Sequence, residues 1–218
     1  MNLENVGAAD KNDILYLKEL NAKLKKTPHD YDTLLRKALL LYYPFYRSDE
    51  AEQVFEMLAE LYPDKYDTYF WHGESLYVCD GHHEKAIQLL RKAISIDKNR
   101  ADGYVLLAQT LNMMDDSYQQ EMECLLKQAL KLEPRWPNAW YGLISLFITQ
   151  NRFDEARQMI EEAFHHIPLS YTHSDDIIQG RHDELVSGRS WTPCMKDDLQ
   201  EYLQSIKIEE AKIKKSNE

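Results

Sequence analysis

A chain of 218 residues with only seven Gly and seven Pro has room for one domain or one short solenoid, and it lacks the turn residues of a loop-rich all-β fold. Its 26 basic and 37 acidic residues leave a formal net charge of −11, which repels phosphate backbones and argues against a nucleic-acid partner. The same acidity keeps a helical surface soluble, and it also suits a basic protein partner.

Residues Asn12 to Lys26 place Ile14, Leu15, Leu17, Leu20 and Leu24 on one helical face, with Asn12 or Asp13 as the cap and Thr27-Pro28 as the stop. From Asp32 to Asp64, Leu35, Ala38 and Tyr42 share a face, Pro44 and Ser48-Asp49 mark a turn, and Ala51, Phe55, Leu58 and Pro63 follow. Pro44 is expected to shorten or kink the first of these two helices. The next pair holds Phe70 and Tyr77, the breaker Asp80-Gly81-His82-His83, then Ala86, Leu90 and Ala93. A third pair holds Tyr104, Leu107, Ala108 and Leu111, a longer turn from Met114 to Gln120, then Leu126, Ala129 and Pro134. A fourth runs from Trp140 through Leu143, Phe147, Ala156, Ile160 and Ala163 to Pro168. Beyond it, 169–193 is polar, with a short helix expected around Asp175 to Val186. Lys196 to Lys212 then reads as a helix, with Leu199, Tyr202, Leu203, Ile206 and Ile213 at helical spacing and a fraying end.

The stretch from Trp140 to Pro168 resembles a tetratricopeptide repeat, whose pattern spaces Trp, Leu, Gly, Tyr, Ala, Phe, Ala and Pro over 34 residues. Trp140, Leu143, Ala156, Ala163 and Pro168 match it, while Phe147, Ile160 and Ile144 depart from it. Ala129 and Ala163 stand 34 residues apart, as do Pro134 and Pro168; Ala51 and Ala86 stand 35 apart, and Ala93 and Ala129 36. The resemblance implies an all-α solenoid. It would have an N-terminal capping helix in 1–31, four repeats in 32–168, and a C-terminal extension in 169–218 whose helix covers the open end. Leu199 and Leu203 are expected to be buried there, on the end of the array or across the groove mouth.

In this family the first helix of each pair lines a concave face. Counted from the landmarks, that face would present Arg36, Tyr43, Trp71, Ser75, Gln109, Asn112, Met113, Asn138, Tyr141 and Ser145. Such a mixture of rings and carboxamides suits another protein's extended segment or helix. Arg36 alone is basic among them, against a subtype that grips chaperone carboxylates with Lys and Asn. Trp71 and Tyr141 are expected to be solvent-accessible, and Phe70 and Trp140 buried.

His165, His166, His173, Asp175, Asp176 and His182 cluster without a metal-ligand spacing, and no metal or cofactor is expected. Cys79, Cys124 and Cys194 carry no nucleophile signature, and Cys79 and Cys124 fall in helix patterns where buried thiols are common. No phosphate loop or hydrolase motif occurs. Met1 to Asp10 has no secretory pattern, and no run of 18 apolar residues spans a membrane. Odd, scattered cysteines fit a reducing compartment, so a cytoplasmic protein is expected. The sequence supports a non-enzymatic protein-interaction module that binds a protein segment. The alternative is an acidic inhibitor or immunity-type protein that masks a basic partner.

Overall fold

The computed structural model describes residues 9–166 and 195–216. Among the described residues there are ten α-helices, one π turn and one 3-10 turn, and no strand. The described residues are all α, as the helical spacing of the chain predicts. These residues fall into two compact units, one ending at Lys98 and the other beginning at Asn99.

The first unit holds α1 (Lys11–Lys26), α2 (Tyr31–Tyr42), α3 (Ser48–Leu61), α4 (Tyr66–Ser75) and α5 (His83–Ile96). The cap of α1 lies earlier than Asn12 or Asp13. Asp10 accepts the backbone N–H groups of Asn12 and Asp13 at 2.7 and 3.0 Å, and Asp13 accepts the Asp10 N–H at 2.8 Å. This reciprocal capping box satisfies donors that the first helical turn leaves without intrahelical partners. Helix α1 lies on α2, with Leu17 and Leu20 buried. Helix α2 stops two residues before Pro44, where the missing N–H and the constrained preceding residue end a helix.

Helices α2 and α3 form one hairpin, α4 and α5 the next, and α4 also packs on α2 and α3. Gly73 sets the α4–α5 approach: a Cβ there would lie 2.9 Å from Leu90 Cγ and 3.3 Å from the Ala86 carbonyl oxygen. Helix α4 continues into a π turn, Leu76–Asp80, and ends at Gly81 with φ +62°, a conformation that glycine adopts without a Cβ penalty.

The second unit holds α6 (Ala101–Leu111), α7 (Gln119–Leu132), α8 (Pro137–Thr149), α9 (Phe153–His166) and α10 (Met195–Ser216). The longer turn expected between Met114 and Gln120 contains the 3-10 turn Asp116–Tyr118. Pro137 opens α8, where its fixed φ costs no hydrogen bond. Hairpins α6–α7 and α8–α9 join through α7 against α8 and α6 against α8. Arg152 strengthens this joint. Its guanidinium lies 4.2 Å from the Phe147 ring centroid and donates to Glu123 of α7 at 2.6 Å. Helix α10 packs on both α8 and α9 and stays helical to Ser216, past the expected end at Lys212. Leu199 and Ile206 are buried beneath it, but Leu203 is only half-buried. The helix expected at 175–186, like Pro168, lies outside the described residues.

The alanine landmarks are all enclosed. Ala51, Ala86, Ala93, Ala129, Ala156 and Ala163 have no exposed surface, and side chains this small allow neighbouring helices to pack closely. Large side chains fill the space beside them, including Phe55, Phe70 and Phe147. Trp140 is 4% exposed, donates its indole N–H to the Pro134 carbonyl at 2.8 Å, and stacks on His166 at 5.7 Å. Trp140→Ala is expected to destabilise by about 3–5 kcal/mol, as deletion of a buried aromatic does. Denaturant unfolding measures this; a loss below about 1 kcal/mol, typical of surface changes, would contradict the packing.

Candidate functional site

The first helices of the two hairpins in the second unit, α6 and α8, lie side by side and frame a cavity of about 310 Å³. Gln109 of α6 and Asn112 at that helix's C-cap reach it, as do Asn138, Tyr141 and Ser145 of α8. These five positions were expected on a binding face, and the structure brings them to one place. The floor is apolar, made by Ala108, Met122, Leu126 and Leu146. Gly142 admits the floor: a Cβ there would meet Leu126 Cδ1 at 2.9 Å. The remaining wall is Tyr202 of α10, whose ring lies 6.0 Å from that of Tyr141 at 34°. No lining residue is charged, although charged residues are 29% of the chain.

Tyr202 escaped the sequence reading as a site residue. Its signal was its place between Leu199 and Ile206 on the apolar stripe of the last helix, which reads as packing rather than as a cavity wall.

Other expected positions stand elsewhere. Met113 is 54% exposed and does not line the cavity. Arg36 and Tyr43 are half-buried in the first unit, Tyr43 against Tyr46 at 6.1 Å. Trp71 and Ser75, expected on an accessible face, are fully enclosed. Helices α2, α3 and α5 all pack on α4, and every residue from Phe70 to Leu76 is buried, so this stretch of α4 keeps no open stripe. Phe70 and Trp140 are buried as expected, and Tyr141 is half-buried.

Two carboxyl groups of the first unit sit in contrasting surroundings. Glu52 of α3 accepts the Tyr42 hydroxyl and His72 Nε2–H, each at 2.8 Å, and pairs with Lys85 of α5. His72 is stacked flat on Phe55 at 4.6 Å, so the acceptor and its donor are both held in place. Burial pushes Glu52 upward, but the hydrogen bonds from His72, Lys85 and Tyr42 with the nearby positive charge outweigh it and hold the group at about 2. Glu74 of α4 is 8% exposed, and its Oε2 is buried with no hydrogen bond. Burial there pushes the carboxyl up to about 7.

Of the expected histidine cluster, His165 and His166 form the last turn of α9, and His173, Asp175, Asp176 and His182 lie outside the described residues. Cys124 is exposed on α7 rather than buried, and Cys194 lies outside the described residues. Among the described residues no group of three or more His, Cys, Asp or Glu gathers to hold a metal ion, and no helix is long and apolar enough to cross a membrane.

Tandem helical hairpins joined through their first helices define a helical-repeat protein. The family model described as tetratricopeptide repeat matches residues 32–65, the α2–α3 hairpin, rather than the Trp140 stretch that follows the landmark pattern most closely. The fold is similar to that of MamA, with TM-score 0.61 and 19% identity over 69% of this chain and 85% of that one. It is similar to TTC0263, a thermophilic TPR protein of Thermus thermophilus, with TM-score 0.52 and 20% identity over 78% and 88%. Yeast Tom70 gives TM-score 0.60 and 21% identity over 94% of this chain and 38% of Tom70. At such identities the likeness shows the fold alone. No curated protein matches the sequence. Residues 32–65 thus match a tetratricopeptide repeat in sequence, and the chain shares the fold of solved tetratricopeptide-repeat structures.

The two carboxyls give opposite pH dependences. Glu52 has a folded-state pKa below its ordinary 4.5. Its stabilisation is therefore present above pH 4.5 and lost as pH falls towards about 2. Glu52→Gln should cost up to about 3 kcal/mol at neutral pH and almost nothing near pH 2. Glu74 has a folded-state pKa above its ordinary 4.5, so its stabilisation is full below 4.5 and declines as pH rises through about 7. Glu74→Gln, neutral at every pH, should gain up to about 3 kcal/mol on the native chain at pH 8 and little at pH 4. Denaturant unfolding across pH measures both; the same slope in variant and native chain would contradict the assignment.

Proposed function

We propose that the chain is a non-enzymatic interaction module that binds an extended segment of another protein at the α6–α8 cavity. The observation that carries this is the convergence of Gln109, Asn112, Asn138, Tyr141 and Ser145 on one opening. Carboxamides donate to and accept from peptide groups, and tyrosine rings add contact area at small entropic cost. An uncharged lining on a strongly charged chain favours a backbone-directed contact over ion pairing. It is also unsuited to a carboxylate clamp. With its scattered cysteines, such a module belongs in the cytoplasm.

Panning a display library of random decapeptides against the intact protein tests this. Asn138→Ala and Tyr141→Ala should each weaken the enriched peptides by at least about tenfold, while Lys131→Ala on the outer surface of α7 should leave them unchanged. Enrichment indifferent to both cavity substitutions would defeat the proposal.

One observation favours the acidic-inhibitor alternative. Helix α3 exposes Asp49, Glu50, Glu56 and Glu60 and contains no Lys or Arg. An inhibitor of this kind would retain one basic folded protein, with an association rate falling steeply as salt rises, and would be indifferent to Asn138→Ala.

A further inference from the structure

The C-terminal helix carries an irregularity in its packing. Leu199 and Ile206 are each 1% exposed. Tyr202 lies three residues after one and four before the other, at the centre of the same inward stripe. A helix that only covered the end of the unit would bury its central residue most deeply. Tyr202 instead is half-buried and borders two openings, the cavity of about 310 Å³ and a second of about 300 Å³ shared with Tyr141, Glu201 and Ser205.

The walls around Tyr202 are specific in kind. Met122 is 6% exposed and Leu126 1%, so the floor is apolar and closely packed. A methionine thioether and two tyrosine rings favour an aromatic guest, through sulfur–ring contact and edge-to-face ring packing at 4.5–7 Å. At 6.0 Å the Tyr141 and Tyr202 rings already touch, so a guest ring enters beside the pair rather than between its members. The volume is at the small end for a ligand pocket and fits one side chain. The carboxamides of Gln109 and Asn112 stand on the rim from α6, where the guest's peptide groups would lie. The helix is tied to α9 by the Arg157–Glu210 ion pair at 2.6 Å as well as by its two buried residues.

We infer that α10 forms part of the binding site as well as covering the end of the unit, and that Tyr202 with Tyr141 receives an aromatic side chain of an uncharged partner segment. This rests on the groove-binding function proposed above and names the partner's chemistry.

The test uses the full chain and a panel of immobilised, capped nonapeptides in a Gly/Ser/Asn frame. The central residue is Phe, Tyr, Trp, Leu, Ala, Lys or Glu. Peptides with an aromatic centre should be retained at least about tenfold better than those with Ala, Lys or Glu. Tyr202→Ala should remove that preference, Tyr202→Phe should keep it, and an unchanged melting temperature for both would show that the end of the unit remains covered. If the panel binds and Asn138→Ala weakens it, but Tyr202→Ala binds equally or more tightly, the inference is overturned and the groove reading stands. A preference for Lys or Glu centres would overturn it as well. If the native chain retains no peptide of the panel, both the inference and the groove reading fall.

Discussion

How closely two helices approach decides the rest of this structure. At Ala51, Ala86, Ala129 and Ala156 a single methyl group separates one helix from the next, and none of these residues has any exposed surface. A larger side chain there would force its neighbours off their rotamers or push the backbones apart, a change that close-packed interiors resist. Gly73 takes the same constraint to its limit, with Leu90 occupying the space of its missing side chain. Once the hairpin is closed, the apolar stripe on its first helix is still uncovered, and one hairpin cannot bury it alone. In each unit the next hairpin supplies the cover, α4 against α2 and α8 against α6.

Close approach also decides which polar groups the interior holds. Glu52 lies at a junction where three different elements send it donors: Tyr42 from α2, His72 from α4 and Lys85 from α5. A carboxylate so surrounded stays charged and ties hairpins together. Glu74, next to Gly73 on the most enclosed helix of the first unit, has no such partner at Oε2 and is favoured neutral. Both groups are glutamates on helices of one unit, so the difference comes from neighbouring elements rather than from the residue type.

That is also the boundary of what the sequence makes legible. Period and composition reveal a landmark when it acts through its size, and the alanines, Phe70 and Trp140 all do. The five cavity residues on α6, its C-cap and α8 follow from the same counting, because the phase of those helices is set by Leu107, Ala108 and Leu111 on one and by Trp140, Leu143 and Phe147 on the other. The phase fails at Trp71 and Ser75 for a tertiary reason. Three helices surround α4, and a one-dimensional pattern cannot count neighbours. The cap of α1 was missed by a short distance, since Asp10, Asn12 and Asp13 are all good capping residues and only geometry shows Asp13 reaching back to Asp10. The tetratricopeptide match falls at 32–65, a hairpin with no Trp, where it rests on the apolar pattern rather than on the landmark aromatic.

The cavity beneath α10 sets a limit on how the end of the second unit is built. If it were sealed, dry and wholly apolar, about 310 Å³ would cost about 7 kcal/mol at about 24 cal/mol per Å³. That is comparable with the entire stability of a small domain, and such a gap would collapse or be filled. The lining resolves the conflict by being apolar on one side only. Met122, Leu126 and Leu146 form the floor, and Gln109, Asn112 and Ser145 form a rim that water can satisfy. Water held there is bonded at the rim and poorly matched to the floor. A guest with a flat apolar side chain and a peptide backbone reverses both conditions, covering the floor and replacing the water at the rim. The opening persists without a partner because of its carboxamides, and the same carboxamides set which partner can displace the water.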